Sequence, residues 1–183
     1  IRNASSGQYL DVWGANDSDG TNIATHEFNN ANGNKKNEIF YIYRANISNS
    51  YLMRSMISSS RVVNAYSDYP SKGTNVTLYH LLNDSTQSWF FEKKDNKYII
   101  RLAYDTDLAL SEVSGDVKVK NYTGSSSQLW ELVPVQRTVT FNRNYGDNET
   151  FTETFYYGVS NQRFGMQNGE DDMIFVSCID LSL

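Results

Sequence analysis

The sequence predicts an all-β protein, and three observations support that prediction. Short apolar or alternating runs are separated by clusters of Asn, Asp, Ser and Gly along most of the chain, which is the pattern of many short strands joined by turns. No stretch shows the sustained i, i+3, i+4, i+7 spacing of apolar residues that an amphipathic helix requires. The third observation, a weak internal repeat, indicates how the strands are arranged.

The repeat is visible in three different markers. The motif Gln87-Ser88-Trp89 recurs as Gln128-Leu129-Trp130, and a degraded copy, Glu38-Ile39-Phe40, lies upstream. Each marker returns after about 40 to 50 residues, a period that indicates a repeat architecture. The other two markers are the set Ile1-Arg2, Met53-Arg54 and Ile100-Arg101, and the pair Gly20-Thr21-Asn22-Ile23 and Gly73-Thr74-Asn75-Val76.

Each repeat is predicted to contain four strands. Four strands taken three times give a closed barrel capped by hairpins, a β-trefoil, over residues 1–135, and closure removes unpaired sheet edges. The aromatic residue that ends each motif is expected to fill the shared core. The predicted strands are residues 1–3, 9–12, 22–26 and 39–43, then 51–55, 62–65, 75–79 and 89–92, then 98–102, 108–111, 117–120 and 130–133.

Residues 136–183 fall outside the repeats and are predicted to form a short β-rich extension. Val139 and Phe141 alternate with threonines, and a further apolar run covers residues 173–176. A segment of this size is too small to form a comfortable core alone. We therefore expect it to pack against the trefoil, to pair with another chain, or to begin a further domain. Residues 170–172 are expected to form a solvated acidic turn.

Composition and charge narrow the range of functions. The net charge of −5 and the isoelectric point near 5.0 argue against a nucleic-acid partner, because phosphates are bound by basic surfaces. No apolar run approaches the roughly 20 residues of a membrane-spanning helix. The abundance of uncharged polar residues favours a secreted, extracellular protein. The single cysteine, Cys178, excludes an internal disulfide and favours a bacterial source.

The sequence gives no sign of catalysis, of a metal or of a cofactor. His26 and His80 fall in different repeats without a nucleophile motif, and Asp11 and Glu38 are the one pair of carboxylates that suggests glycoside hydrolysis. The acidic turn at residues 16–20 is similar to a calcium loop, but Ala15 stands where the first acidic ligand belongs. We therefore predict a protein that is not an enzyme and needs neither metal nor cofactor.

Residues 1–135 resemble the ricin B-like (R-type) lectins. The resemblance rests on the two QxW motifs Gln87-Ser88-Trp89 and Gln128-Leu129-Trp130, on the strand Leu10-Asp11-Val12 and on the turn Asp19-Gly20-Thr21-Asn22-Ile23. It implies a sugar site in each repeat with three parts. A carboxylate on the second strand accepts hydrogen bonds from two sugar hydroxyls, an aromatic ring ending the third strand stacks on the hexose, and an amide before the QxW motif adds a polar contact.

In the first repeat the resemblance assigns these roles to Asp11, His26 and Asn37. His26 is a poorer stacking surface than a tryptophan or tyrosine. Glu38 replaces the glutamine that usually braces the aspartate, so two carboxylates are expected close together.

In the second repeat the same positions are Asn64, Tyr79 and either Thr86 or Gln87. The 15 positions between Asp11 and His26 also separate Asn64 from Tyr79, so the two alignments agree. Asparagine in place of aspartate weakens a charge-assisted hydrogen bond.

The third repeat is expected to lack a sugar site. Leu110 or Ser111 occupies the acidic position, and Lys118 and Lys120 lie on its third strand.

The resemblance predicts a carbohydrate-binding module for cell-surface glycans that end in galactose or N-acetylgalactosamine. Its expected context is the receptor-binding part of a secreted bacterial toxin or adhesin, because threonine-rich alternation after a lectin trefoil is similar to the junction in aerolysin-like and insecticidal binary toxins. Residues 136–183 would then lead into an additional toxin domain or an oligomer contact. Two alternatives remain: a protein-binding trefoil with decayed sugar sites, and a targeting module of a glycan-processing enzyme.

Overall fold

The computed structural model describes residues 1–28, 36–142 and 150–156 and divides the chain into two units, Ile1–Val133 and Pro134–Leu183. The first unit contains the three repeats. In the second unit, strands β13 (Gln136–Asn142) and β14 (Thr150–Tyr156) pair in an antiparallel hairpin. The acidic turn at residues 170–172, the apolar run at 173–176 and Cys178 lie outside the described residues.

Twelve strands of the first unit follow the predicted order of three repeats with four strands each. In the described part of the chain, three short 3-10 helices lie between them, at Trp13–Ala15, Lys36–Glu38 and Ser126–Gln128, and no α-helix occurs. The strands are β1 (Arg2–Asn3), β2 (Tyr9–Val12), β3 (Thr21–His26), β4 (Phe40–Arg44), β5 (Tyr51–Ser55), β6 (Arg61–Ala65), β7 (Val76–His80), β8 (Trp89–Lys94), β9 (Lys97–Leu102), β10 (Leu108–Val113), β11 (Asp116–Asn121) and β12 (Trp130–Glu131).

The strands form a β-trefoil, as the repeats predict. The first and fourth strands of the repeats pair with one another in the order β1, β12, β9, β8, β5 and β4. The second and third strands of each repeat form the hairpins β2–β3, β6–β7 and β10–β11. The three hairpins also contact one another, through the pairs β3–β7 and β11–β3 and through a bridge between Asn75 and Lys118. Each hairpin therefore has a neighbouring repeat on either side.

The aromatic residues that end the repeat motifs lie in the common core. Trp89 and Trp130 are fully buried, and their indole N–H groups donate to the carbonyl oxygens of Val63 and Leu110 at 3.2 and 3.0 Å. Phe40, which has no such donor, is partly buried against the same core. Truncation of a buried tryptophan to alanine typically costs about 3 to 5 kcal/mol. The tryptophans of these motifs therefore stabilise the core of the fold.

The glutamines of the same motifs hold the loop that follows the third strand. The side chain of Gln87 is fully buried, accepts a hydrogen bond from the backbone N–H of Leu82 and donates one to the carbonyl oxygen of His80, both at 2.7 Å. Gln128 makes the equivalent bonds in the third repeat, at 2.8 and 3.0 Å. Glu38 occupies this position in the first repeat and is also buried.

None of the helices in residues 1–28, 36–142 and 150–156 has the length and apolar character that a membrane crossing requires.

Candidate functional site

The register of the three hairpins shows which residues occupy the acidic position of the site. Asp11, Asn64 and Ser111 lie at equivalent places on the second strands, opposite Ala24, Thr77 and Lys118 respectively. The sequence left Leu110 and Ser111 as alternatives, and the register selects Ser111. The acidic position thus changes from carboxylate to amide to hydroxyl along the chain.

The position predicted to stack on a sugar lies on the third strand of each repeat, two residues after the partner of the acidic position. His26, Tyr79 and Lys120 occupy this place in the three repeats. Alternate residues of a strand project to the same face of a sheet. The stacking position in each repeat therefore lies on the same face of the hairpin as the paired residue, which is Ala24, Thr77 or Lys118.

The second repeat forms a cleft of about 550 Å³ that brings its predicted residues together. Asn64, Tyr79 and Thr86 all line it, whereas Gln87 lies in the interior and bonds to the loop backbone. Of the two residues predicted beside the QxW motif, Thr86 is thus the one in the cleft. The other lining residues are Tyr66, Ser67, Asp68, His80, Leu82 and Asp84.

A short chain of hydrogen bonds lies on the wall of this cleft. The hydroxyl oxygen of Thr86 lies 3.2 Å from Oδ1 of Asn64 and 2.6 Å from Oδ1 of Asp84. The backbone N–H of Thr86 donates to the same oxygen of Asp84 at 2.8 Å. Asn64 and Thr86 are buried while Asp84 is exposed, so the chain of hydrogen bonds runs from the interior to the rim.

The aromatic wall of the cleft has three rings. Tyr79 lies between Tyr66 and His80, with ring centroids 5.8 and 4.5 Å away and interplanar angles of 58° and 31°. Gly20 of the first repeat, with φ of +80°, lies under Tyr66, where an added Cβ would lie 3.5 Å from the tyrosine hydroxyl. Aromatic faces beside hydrogen-bond acceptors suit a ligand with both an apolar face and hydroxyl groups.

Tyr66 was not predicted from the sequence, although a signal for it exists. It follows Asn64 by two residues, as Trp13 follows Asp11 in the first repeat. Both aromatics are largely exposed, at 54% and 62%. A large exposed aromatic that recurs at the repeat interval is a stronger indication of binding than one that occurs singly.

An ionic cluster joins the turn of the first repeat to the second-repeat cleft. Asp19 accepts hydrogen bonds from the backbone N–H of His80 at 2.8 Å, from its ring Nδ1 at 2.7 Å and from Nε of Arg61 at 2.8 Å. Asp17 contacts the same guanidinium at 3.1 Å. The hydrogen bond from the His80 side chain is the main reason why the pKa of Asp19 lies below its usual value. The cluster fixes the residue next to Tyr79.

In the first repeat the structure brings together two of the three predicted residues. Nδ2 of Asn37 donates to Oδ2 of Asp11 at 2.6 Å, and Asp11 is buried. His26 is exposed, and its Nδ1 lies 3.0 Å from the carbonyl oxygen of Glu27. The loop at residues 29–35, between the third strand and Asn37, lies outside the described part of the chain.

The third repeat presents a different arrangement. The hydroxyl of Ser111 donates to the carbonyl oxygen of Ala109 at 2.9 Å and accepts from Nε2 of Gln128 at 3.0 Å. Nζ of Lys118 lies 3.7 Å from a carboxylate oxygen of Asp116. The Ser111 hydroxyl, which has internal partners, stands in place of the acceptor of the other repeats, and Lys120 stands in place of the ring. That this repeat lacks a sugar site stays a prediction.

Within residues 1–28, 36–142 and 150–156, no group of three or more His, Cys, Asp or Glu side chains is placed to hold a metal ion.

Comparison with known proteins places this geometry in a structural class. Residues 1–79 match the protein-family model described as a ricin-type beta-trefoil lectin domain-like family. A search of curated proteins gave no match. The designed three-fold symmetric protein ThreeFoil shares the fold at a TM-score of 0.65 and 23% identity, over 73% of this chain and 96% of that one. The chain is a β-trefoil whose first 79 residues match that family model.

Natural proteins match the fold as well. The Rhizoctonia solani agglutinin aligns at a TM-score of 0.61 and 18% identity, covering 71% of this chain and 89% of the agglutinin. A mosquitocidal holotoxin aligns at a TM-score of 0.61 and 15% identity, covering 85% of this chain and 21% of the toxin. The present chain therefore spans about a fifth of that toxin.

Proposed function

We propose that this protein binds carbohydrate through the cleft of its second repeat. The observation that carries the proposal is the convergence of Asn64, Thr86 and Tyr79 on one cleft, with Tyr66 beside them. These residues supply a hydrogen-bond acceptor, a hydroxyl and two aromatic faces, which together match the two chemical sides of a hexose. The agglutinin with a similar fold supports a sugar ligand.

The ligands proposed are glycans that end in galactose or N-acetylgalactosamine, as the likeness to R-type lectins implies. The charge of the cleft favours neutral sugars of this kind. Asp68 and Asp84 both line it, and like charges repel an anionic group placed beside them. Glycans carrying sulfate or a terminal carboxylate are therefore expected to bind more weakly than their neutral counterparts.

Binding by a single site is expected to be weak and to gain strength from repetition. The cleft is open to solvent, and a second candidate site at Asp11, His26 and Asn37 lies on another hairpin. Two sites on one rigid scaffold raise avidity on a surface that displays many copies of the sugar. The proposed partner is thus a glycan-covered surface and not a free monosaccharide.

The proposed biological context is the receptor-binding part of a secreted bacterial toxin or adhesin. The fold shared with a mosquitocidal holotoxin supports it, since that likeness extends over 85% of the present chain. In this context residues 136–183 connect the lectin unit to a further domain or to other subunits.

A glycan array with matched variants tests the sugar-binding proposal. Tyr79→Ala removes the central ring of the cleft, and Tyr69→Ala removes an 80% exposed tyrosine that does not line it. We expect binding to galactose-terminated glycans to fall about tenfold or more, or about 1.4 kcal/mol, in Tyr79→Ala and to stay unchanged in Tyr69→Ala. A third variant, Asp11→Ala, measures the share of the first repeat.

The same proteins distinguish the proposal from its alternatives. Wild-type binding to intact cells should be competed by free galactose if the chain is a receptor-binding lectin. If wild-type protein presented at high valency bound no glycan, the lectin proposal would be refuted. If Tyr69→Ala and Tyr79→Ala lost binding equally, the assignment to the second-repeat cleft would be wrong.

A further inference from the structure

The second-repeat cleft carries an asparagine where the resemblance leads us to expect a carboxylate. A carboxylate offers two acceptor oxygens, whereas a side-chain amide has one acceptor oxygen and one donor nitrogen. Asn64 therefore replaces an aspartate only if its oxygen faces the ligand. Because the oxygen and nitrogen of an amide have similar sizes, a half-turn of the group fits the same space, and neighbouring residues must fix its direction.

The hydroxyl of Thr86 supplies that direction. It lies close to two acceptors, Oδ1 of Asn64 at 3.2 Å and Oδ1 of Asp84 at 2.6 Å, but it carries a single hydrogen. A hydrogen bond to an ionised acceptor is shorter and about twice as strong as one between neutral groups. The hydrogen therefore goes to Asp84, and Oδ1 of Asn64, which the structure places toward Thr86, faces a lone pair of the hydroxyl oxygen. A half-turn of the amide replaces this repulsive contact with a hydrogen bond in which Nδ2 of Asn64 donates to the Thr86 oxygen.

The carboxylate of Asp84 is well placed for this role because the turn that carries it is itself fixed. The backbone N–H of Thr86 donates to the same Oδ1 at 2.8 Å, and the backbone carbonyl of Asp84 accepts from the hydroxyl of Ser88 at 2.8 Å. Ser88 and Thr86 are both buried. The carboxylate thus points at the Thr86 hydroxyl from a short, hydrogen-bonded turn.

We propose that Asp84 acts through the hydroxyl of Thr86 to favour the half-turned amide of Asn64, with Nδ2 toward Thr86 and the carbonyl oxygen toward the cleft, so that Asn64 accepts hydrogen bonds from sugar hydroxyls as an aspartate would. Asp84 is a positioning residue in this arrangement. This role rests on the proposed sugar-binding function of the cleft. It explains how a site with asparagine in place of aspartate still accepts hydrogen bonds from a sugar.

The chain itself offers the substitution that tests the relay without removing the turn. Ser125 stands at the position of Asp84 in the third repeat, and its hydroxyl accepts a hydrogen bond from the backbone N–H of Ser127 at 3.3 Å. Asp84→Ser should therefore preserve the local fold. Since a serine hydroxyl is both donor and acceptor, it no longer dictates which way the Thr86 hydrogen points.

The experiment is a double-mutant cycle that combines Asp84→Ser with Asn64→Asp. Four full-length proteins are titrated with N-acetylgalactosamine and methyl β-galactoside, and binding at this cleft is followed by the NMR signals of residues 64 and 86. An aspartate at position 64 has two acceptor oxygens and needs no orientation. We expect Asp84→Ser to weaken binding about tenfold when residue 64 is asparagine, and by less than about twofold when it is aspartate.

Two further variants check the middle of the relay. Thr86→Val removes the hydroxyl and should lose as much affinity as Asp84→Ser, whereas Thr86→Ser keeps the hydroxyl and should retain wild-type affinity. An equal loss of affinity on Asp84→Ser in both backgrounds would overturn the relay, since Asp84 would then act on the ligand or the turn directly. The relay would also be overturned if Asp84→Ser caused no loss of affinity in either background.

The cycle also separates failure of the relay from failure of the proposed function. If sugars shift the signals of the cleft but the two substitutions act additively, the relay is wrong and the lectin proposal stands. If none of the four proteins responds to either sugar, and the array also shows no binding, both proposals fail together.

Discussion

The same position of the three repeats is occupied by Glu38, Gln87 and Gln128. The side chain of glutamate differs from that of glutamine by an oxygen in place of the amide nitrogen. Gln87 uses its carbonyl oxygen to accept from Leu82 and its nitrogen to donate to the carbonyl oxygen of His80. A carboxylate can reproduce the first bond but not the second, because it has no hydrogen to donate. The loop after the third strand, which carries the rim of the cleft, therefore depends on an amide at this position.

Gln87→Glu should consequently destabilise the protein. The substitution sets a carboxylate against the carbonyl oxygen of His80 in a fully buried site, where an unpaired charge is costly. We expect a loss of about 3 kcal/mol in the free energy of unfolding, measured by urea denaturation. Gln128→Glu, which removes the equivalent bond to the carbonyl oxygen of Asn121, should cost a similar amount. A loss below about 1 kcal/mol for both would contradict the bracing role.

The sequence identified the residues of the candidate site that follow the repeat, and it did not identify those that depend on turn geometry. Asn64 and Tyr79 were predicted because strand periodicity fixes which residues share a face of the hairpin. Asp84 was missed because its contact with Thr86 depends on a turn that brings its carboxylate to that hydroxyl. Thr86 and Gln87 stayed alternatives because sequence proximity to the QxW motif does not show that the side chain of Gln87 turns inward.

At the scale of the elements, the twelve trefoil strands were the most predictable part. Their apolar residues alternate with polar ones, and turn-forming residues separate them, so existence and order follow from the pattern. Bounds differ by a few residues, as in β8, which extends to Lys94 beyond the predicted end at residue 92. The contacts between hairpins were not predictable, because pairs such as β3–β7 join segments far apart in sequence.

One of those inter-repeat contacts should be sensitive to acid. The pKa of Asp19 lies below its usual value near 3.8, chiefly because His80 donates a hydrogen bond to it. A depressed carboxyl pKa stabilises the fold above the unfolded-state pKa, and that stabilisation is lost as the pH falls through the folded-state value. We expect Asp19→Asn to lower the thermal midpoint at pH 6, with the difference from wild type narrowing below about pH 3.8.

Asp17→Asn is the matched control for that experiment. Among the described residues, Asp17 contacts Arg61 but makes no hydrogen bond to His80, so its removal should lower the midpoint less. Thermal scans of the three proteins between pH 6 and pH 3 make the comparison. A difference between wild type and Asp19→Asn that stays constant through this range would show that the carboxylate does not stabilise the contact between repeats.

At the scale of the whole molecule, the residues that pack the core and the residues of the candidate sites occupy different positions of the repeat. The motif tryptophans and glutamines point inward and keep one role in every copy, apart from the change to Phe40 and Glu38 in the first. The position of Asn64, where Asp11 and Ser111 stand in the other repeats, is also buried, but it carries a different side chain in each copy. Because the core motifs are kept while this position varies, the same scaffold can carry a different site in each repeat.

Residues 1–135 are expected to fold and bind without the rest of the chain. In the described part of the chain, every residue of the hydrophobic core cluster, from Ile1 to Trp130, belongs to the unit Ile1–Val133, and hydrophobic burial is the main source of stability. A chain of residues 1–135 should unfold in one cooperative calorimetric transition and bind the same glycans as the full-length protein. Broad unfolding, with loss of binding, would mean that the trefoil boundary predicted at residue 135 is wrong. Cooperative unfolding without binding would instead assign the recognition surface to residues 136–183, and the cleft at Asn64 and Tyr79 would no longer explain it.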